Sequence, residues 1–268
     1  MKADLHCHTT FSDGKFSVDE VLMYAKQTGL THLAITDHDT FEGSKVAYAR
    51  NSFLTIIIGI ELSTYLQEES VHILGYFKNW EQVASMQPFL DNQLQKREER
   101  AYKIIENLKV MHGLKLDPTF IKKLTSITRG SIAREMVRQH LATDHREVFT
   151  KYLGDECPAY IPSTRLSTKI GIQMIHECGG LAVLAHPMDL KRNNPKDIIA
   201  LGIDGIEAIY PKRQDVEQLY REIAQEHQLF ITAGNDFHGL NDAKHGNIGD
   251  LSLKGKDLEV FLSRLYES

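Results

Sequence analysis

One apolar run after another in this chain ends on a histidine or a carboxylate, and that recurrence limits what the chain can fold into. Asp4-Leu5-His6-Cys7-His8 opens the series, followed by Thr36-Asp37-His38-Asp39, Glu61, His72, Ala185-His186-Pro187 and Asn235-Asp236-Phe237-His238. Burying so many imidazoles and acids singly would be costly. A fold that gathers them removes that cost, and the two side-chain types together suit divalent transition metals. The expectation is a polynuclear metal centre.

The pattern around these residues alternates between strand and helix. Ala3–Cys7, Leu33–Ile35, Leu54–Ile60 and Val71–Phe77 read as strands. Ser17-Val18-Asp19-Glu20 is a capping box before a helix that Gly29 is placed to end. Glu42–Asn51 reads as a second helix. After residue 165 the rhythm resumes, with helices over Lys169–Cys178, Ile198–Leu201 and Asp215–His227. Strands over Leu181–Ala185, Ile203–Ile209 and Leu229–Ala233 alternate with them. Such alternation predicts parallel strands with helical crossovers. Every candidate ligand then falls at or just past a strand's C-terminal end, where barrel enzymes place their chemistry.

Residues 82–155 break the rhythm. Leu90, Leu94, Ala101, Ile104, Ile105 and Leu108 trace a helical stripe, and Asp117-Pro118 caps a new helix. Ser131–Leu141 and Arg146–Leu153 also read as helices. The expected organisation is a barrel formed by 1–81 and 156–268 with an all-helical insertion over 82–155. Residues 95–151 hold 13 Lys and Arg against 7 Asp and Glu, a net of +6, which leaves −11 of the chain's −5 to the remainder. A basic cap beside an acidic, metal-collecting body suits an anionic substrate.

The net charge of −5 over 268 residues argues against broad binding to long duplex nucleic acid. It leaves room for a nucleotide or a short oligonucleotide. Three cysteines (Cys7, Cys157 and Cys178) make no disulfide framework, which points to the cytoplasm. No signal segment or bilayer-length apolar run is visible, so no membrane role is expected. Cys7 alternates with His6 and His8 on a strand and so faces the opposite side, as a small buried apolar residue.

His6 and His8 share one face and can grip one ion. Asp13, in Phe11-Ser12-Asp13-Gly14, can fold a carboxylate over the site or simply form a turn. Among Asp37, His38 and Asp39, one can ligate while a neighbour orients it. Glu61 follows a very apolar strand and is suited to bridging two ions. His72 and His186 read individually as core histidines, and Asp236 and His238 can bind from one side.

Taken together these motifs resemble the PHP (polymerase and histidinol phosphatase) family. The chain is most similar to its small stand-alone phosphoesterases, the TrpH-like group. The resemblance implies an α/β fold, a distorted (β/α)7 barrel of seven strands with a helical insertion. It also implies three divalent metal ions. His6, His8, Glu61 and Asp236 would surround one, Glu61, His72 and His186 a second, and Asp13, His38 and His238 a third. Asp37, His38 and His238 are the expected catalytic groups, with Asp37 beside the ligands, and Asp39 receives no role. Mn²⁺ is favoured, with Fe²⁺ or Zn²⁺ also compatible with these donors.

Related phosphoesterases carry Gly-Arg-Pro-His-Ile-Ala-Arg where this chain has Thr128-Arg129-Gly130-Ser131-Ile132-Ala133-Arg134. Arg129 and Arg134 suit bidentate phosphate recognition, and Ser131 is placed to cap the following helix and offer amides to an anion. The family's histidine is missing here, and another is missing from Tyr210-Pro211-Lys212. The implied activity is hydrolysis of a nucleotide-type phosphate ester, a nucleoside 3′,5′-bisphosphate or the 5′ end of short RNA. The alternatives are a histidinol-phosphate phosphatase and a non-catalytic metal-binding regulatory module.

Overall fold

The computed structural model describes all residues except 51, 52, 125, 126, 155, 163–165 and 268, and at 123 the backbone alone. The chain divides into two compact units, Met1–Gln87 with Leu166–Ser268, and Pro88–Arg165.

The first unit is built on one mixed sheet. Its strands are β1 (Lys2–Asp4), β2 (His32–Ile35), β3 (Thr55–Leu66), β4 (Glu69–Phe77), β5 (Leu166–Ser167), β6 (Leu181–Leu184), β7 (Gly205–Ile209), β8 (Phe230–Ala233) and β9 (Leu253–Lys254). Their order is β8-β7-β6-β4-β3-β2-β1-β9, with β5 paired to β3. Past β1 the chain turns to the other end of this path. Leu5 N–H donates to the Ala233 carbonyl at 3.0 Å and His8 N–H to that of Phe237 at 2.9 Å. These bonds draw the sheet into a nearly closed barrel, as expected.

The expected all-parallel sheet needs correction at two strands. β9 runs antiparallel to β1, and β4 runs antiparallel to both β3 and β6. Leu66 and Glu69 pair across Gln67 and Glu68, whose φ angles of 44° and 62° are both left-handed. That is the twist a two-residue hairpin needs. The hairpin also carries β3 well past Ile60, so Glu61 and His72 lie inside strands rather than at their ends.

Helices cover the sheet. α1 (Val18–Gln27) starts at the expected capping box, where Ser17 and Glu20 bond reciprocally, and stops where Gly29 takes φ 70°. Its buried face (Val18, Val21, Leu22 and Ala25) packs with Leu33, Ile35 and Cys7 in one apolar cluster. α2 is Glu42–Arg50; the expected last residue, 51, lies outside the described residues. Buried Tyr76 of β4 donates its hydroxyl to the Leu5 carbonyl at 2.8 Å and so ties β4 to the residues just past β1.

α3 (Trp80–His112) begins in the first unit and continues through Pro88 into the second. There follow a 3₁₀ turn (Pro118–Lys123) capped by Asp117, then α4 (Arg129–Arg138), α5 (His145–Val148) and a π-helical turn (Phe149–Leu153). Ile104, Leu108, Ile121, Ile132, Met136 and Val148 form this unit's core. The expected bounds 82 and 155 differ from the observed divisions; residue 155 lies outside the described residues. Gln82 bonds to the Gly179 carbonyl at 2.9 Å, whereas Ala159 and Ile161 pack with the helical core.

In the first unit α6 (Thr168–Glu177), α7 (Pro195–Ile199) and α8 (Glu217–Glu226) alternate with strands as expected. β9 and α9 (Gly255–Glu267) complete it, with Leu258, Phe261 and Leu265 buried. No described helix is long and apolar enough to cross a membrane. Tyr76→Phe leaves the Leu5 carbonyl without its buried donor, and the expected cost is about 1–2 kcal/mol. A lowered urea midpoint with an unchanged m-value checks this; an unaltered midpoint contradicts it.

Candidate metal centre

Glu61 is the hub. It is buried inside β3 and its two oxygens face different imidazoles. Oε1 lies 3.0 Å from His72 Nδ1 and 3.2 Å from His186 Nε2. Oε2 lies 3.3 Å from His6 Nε2, 3.0 Å from His8 Nε2 and 3.2 Å from His38 Nδ1. Asp236 Oδ1 closes the His6 and His8 side, at 3.3 and 3.1 Å from the same two nitrogens. A third grouping lies beside it, with Asp13 Oδ1 3.2 Å from His238 Nε2 and Asp13 Oδ2 3.9 Å from His38 Nε2.

The ligand atoms of His6, His8, Glu61 and Asp236 lie within 4.8 Å of one another, as do those of His8, Asp13, His38 and His238, and of His38, Glu61 and His72. All nine residues expected from the sequence to hold metal therefore meet in one region of the first unit. The grouping differs from the expected one in detail, because His38 sits between Glu61 and Asp13 and its Nδ1 has no aligned hydrogen-bond partner. Buried nitrogen and carboxylate oxygen donors with such an orphaned imidazole fit divalent cations well.

The backbone is bent to deliver these groups. His186 has φ 26°, Asp236 φ 48° and Asp39 φ 57°, all left-handed for residues with a Cβ. Each such residue costs about 1–3 kcal/mol, and its surroundings must hold it there. Gly234 allows the closest approach, since a Cβ there would come 2.2 Å from that of His6.

A layer behind the donors fixes their orientation. Glu207, fully buried in β7, faces His6 Nδ1 at 3.1 Å and accepts from the His186 N–H at 2.8 Å. It holds the His6 proton on Nδ1 and leaves Nε2 toward Glu61 and Asp236. His238 Nδ1 is held in the same way by the Asp236 carbonyl at 2.8 Å. Tyr210 donates its hydroxyl to Asp236 Oδ2 at 2.7 Å. Asp4 accepts from the Asn235 amide at 2.6 Å, which pins the loop carrying Asp236; burial, opposed by these bonds, raises the Asp4 carboxyl to about 6.

Asp37 does not face the donors. Its oxygens accept from the Thr9 N–H and hydroxyl and from the Ser12 hydroxyl, all at 2.7 Å. It therefore braces the loop that carries Asp13, and burial raises its carboxyl despite these bonds. Asp39 accepts from Ser63 N–H and hydroxyl at 2.9 and 2.8 Å. Cys7 is buried in the apolar cluster, away from the donors.

Arg129, Ser131 and Arg134 belong to the helical unit. Arg129 stacks over Tyr160 at 4.8 Å and donates to the Leu153 carbonyl at 3.2 Å, while Arg134 is exposed. Ser131 is not the helix cap as expected. Thr128 takes that position, and Ser131 is its partner three residues on, because α4 begins two residues earlier than its apolar pattern suggests.

Sequence reasoning missed Glu207 and His245, whose Nε2 lies 3.5 Å from Asp236 Oδ2. Glu207 carried a usable signal, an acid inside an apolar strand, the same signal that marked Glu61.

Charge in the cluster is balanced internally. Burial alone would raise Glu61, but His38, His6, His72 and the bond from His186 outweigh it and hold the carboxyl well below its usual range. Burial opposes a charge on His8, yet Asp236 and Glu61 raise it to about 10. His38 is the exception, with burial and its His8 and His72 neighbours pushing it down to about 4.

The chain matches the PHP domain over residues 4–153. It is 32% identical over 249 residues to a 5′-3′ exoribonuclease of Haemophilus influenzae, covering 88% of this chain and 90% of that one. It is 30% identical over 259 residues to a phosphoribosyl 1,2-cyclic phosphate 1,2-diphosphodiesterase of Eggerthella lenta, covering 89% and 95%. A 3′,5′-nucleoside bisphosphate phosphatase of Chromobacterium violaceum is 29% identical over 247 residues, covering 88% and 86%. A solved structure from Bifidobacterium adolescentis, provisionally named a metal-dependent phosphoesterase, superimposes with a TM-score of 0.75 at 26% identity, covering 98% of this chain and 96% of that one.

Two outcomes follow from this geometry. Glu207→Gln weakens the orientation of both His6 and His186, and metal affinity should fall about 10–100-fold. Titration of the chelator-stripped protein with Mn²⁺ measures this, and an unchanged affinity refutes the role. Because the His8 pKa is raised on folding, its stabilising charge is complete below the ordinary 6.5 and is lost as pH climbs toward about 10. The melting temperature of metal-stripped protein should drop across that window, while affinity for metal, which needs neutral imidazole, rises. A melting temperature that rises over that range contradicts the assignment.

Proposed function

The chain belongs to the PHP family, and on that premise we propose that it is a hydrolase of nucleotide-type phosphate esters, acting on nucleoside 3′,5′-bisphosphates or on the 5′ end of short RNA. The observation that carries this reading is the split of Glu61 between two sets of imidazoles, an arrangement suited to neighbouring cations. Three divalent ions, Mn²⁺ by preference, fit the donor groups. When bound they supply water of lowered pKa and Lewis acidity toward phosphoryl oxygens.

The protein's own groups set the geometry for that chemistry. Glu207 and the Asp236 carbonyl fix the tautomers of His6 and His238. Asp37 keeps the Asp13 loop in place through Thr9 and Ser12. His38 and His238, half-buried beside Asp13, are the imidazoles proposed to meet the phosphoryl group. Arg129, Ser131 and Arg134 are proposed to bind substrate phosphate, on the strength of their sequence motif and of guanidinium–phosphate complementarity. A cytoplasmic setting is supported by three free thiols.

The test is hydrolysis by Mn²⁺-loaded protein, followed as phosphate release from adenosine 3′,5′-bisphosphate and histidinol phosphate, as nucleoside monophosphate release from a 5′-phosphorylated oligoribonucleotide, and as the ring-opened monoester from a phosphoribosyl 1,2-cyclic phosphate. A nucleotide substrate should exceed histidinol phosphate in kcat/KM by about 100-fold or more, since unmatched polar contacts cost several kcal/mol. Turnover of histidinol phosphate or the cyclic sugar phosphate alone would refute the nucleotide assignment. Arg129→Ala should raise KM on the order of 10–100-fold through loss of a charge-assisted bond.

A further inference from the structure

Resting on the metal-centre reading above, we propose that His245 is a further nitrogen donor of that centre, on the side of Asp236 and His238. It lies in the loop after His238, where no apolar run or strand end marks it. Its side chain is only 15% exposed. Nε2 lies 3.5 Å from Asp236 Oδ2, and the ring stacks on that of His238 with centroids 4.3 Å apart and 25° between planes. Atoms of Asp236, His238 and His245 lie within 4.8 Å of one another.

The other nitrogen is faced by a carboxylate. Nδ1 lies 3.0 Å from Asp242 Oδ1, a close ion contact rather than an aligned hydrogen bond. His6 with Glu207 and His238 with the Asp236 carbonyl show the same order, an acceptor beside Nδ1 and Nε2 turned to the cluster, although in those two the contact is a hydrogen bond. At His245 the nearby carboxylate favours a proton on Nδ1 by charge alone, which leaves the Nε2 lone pair toward a cation.

The loop is also tied down from several sides, which a merely stacking surface ring does not require. Lys212 Nζ bonds the Asp242 and Ala243 carbonyls at 2.5 and 3.0 Å. Lys244 Nζ meets Asp189 Oδ2 at 2.6 Å, three residues past His186. Gly246 N–H donates to the Asn235 carbonyl at 2.9 Å, and Asp242 Oδ1 accepts from the amides of Lys244 and His245. His245 is thus presented by a braced loop, beside one of the buried carboxylates of the site.

The experiment uses the full chain, stripped with chelator and reloaded with Mn²⁺ or Co²⁺. His245→Ala should bind one ion fewer by elemental analysis, or hold its weakest ion about 10–100-fold less tightly. The visible absorption of the Co²⁺-loaded protein should change with loss of a nitrogen donor. Asp242→Asn, which leaves the ring in place, should shift the same affinity in the same direction by less. Wild-type stoichiometry, affinity and Co²⁺ spectrum in folded His245→Ala overturn the proposal. If that variant fails to fold, an unaltered affinity and spectrum in Asp242→Asn overturn it instead. A wild-type chain that binds no divalent ion defeats the metal-centre reading itself, a result separate from either variant.

Discussion

A carboxylate buried in an apolar strand is tolerable only if something offsets its charge, and around Glu61 that something is a ring of imidazoles. Five histidines from four separate stretches of chain approach its two oxygens. Remove them and the side chain is an uncompensated charge in the core. Crowded with each other, they repel unless carboxylates or cations intervene. Glu61 and its histidines thus depend on each other, and the surrounding structure serves to hold that set together.

The barrel does this with few devices. The β3–β4 hairpin lets one long antiparallel pair carry Glu61 and His72 side by side, where a strictly parallel sheet would have spent a crossover helix. The bonds between the segment after β1 and the end of β8 bring His6 and His8 against Asp236 and His238. Left-handed φ angles at His186 and Asp236 turn the chain sharply where strands end. Asp37, Asp39 and Asp4 have the opposite assignment. Asp37 and Asp4 accept hydrogen bonds from neighbouring loops and Asp39 from Ser63 of β3, and so they keep the ligand-bearing turns in place.

The donors were legible in the sequence because each is a polar residue in, or at the end of, an apolar run, where its cost is visible without a structure. Most strands and helices were legible for the same reason, through their periodicity. What escaped depends on pairing at a distance. The direction of β4 follows from a Gln67-Glu68 turn with none of the usual glycine or asparagine cues. The bracing role of Asp37 follows from Thr9 and Ser12, which only the folded chain brings close. Glu207 escaped although it carried the same signal as Glu61. His245 carried none, since no apolar run leads up to it. α9 lies where the reading of the chain ended at His238, although Leu258, Phe261 and Leu265 recur at helical spacing.

The seam between the first strand and the last parallel one has a consequence for biosynthesis. His6 and His8 are made 230 residues before Asp236 and His238. A nascent chain cannot assemble the full donor set until that whole stretch has been translated. Until then His6 and His8 lack the carboxylate that faces them across the seam, so the complete centre is open to cations only once the later segment has joined the barrel.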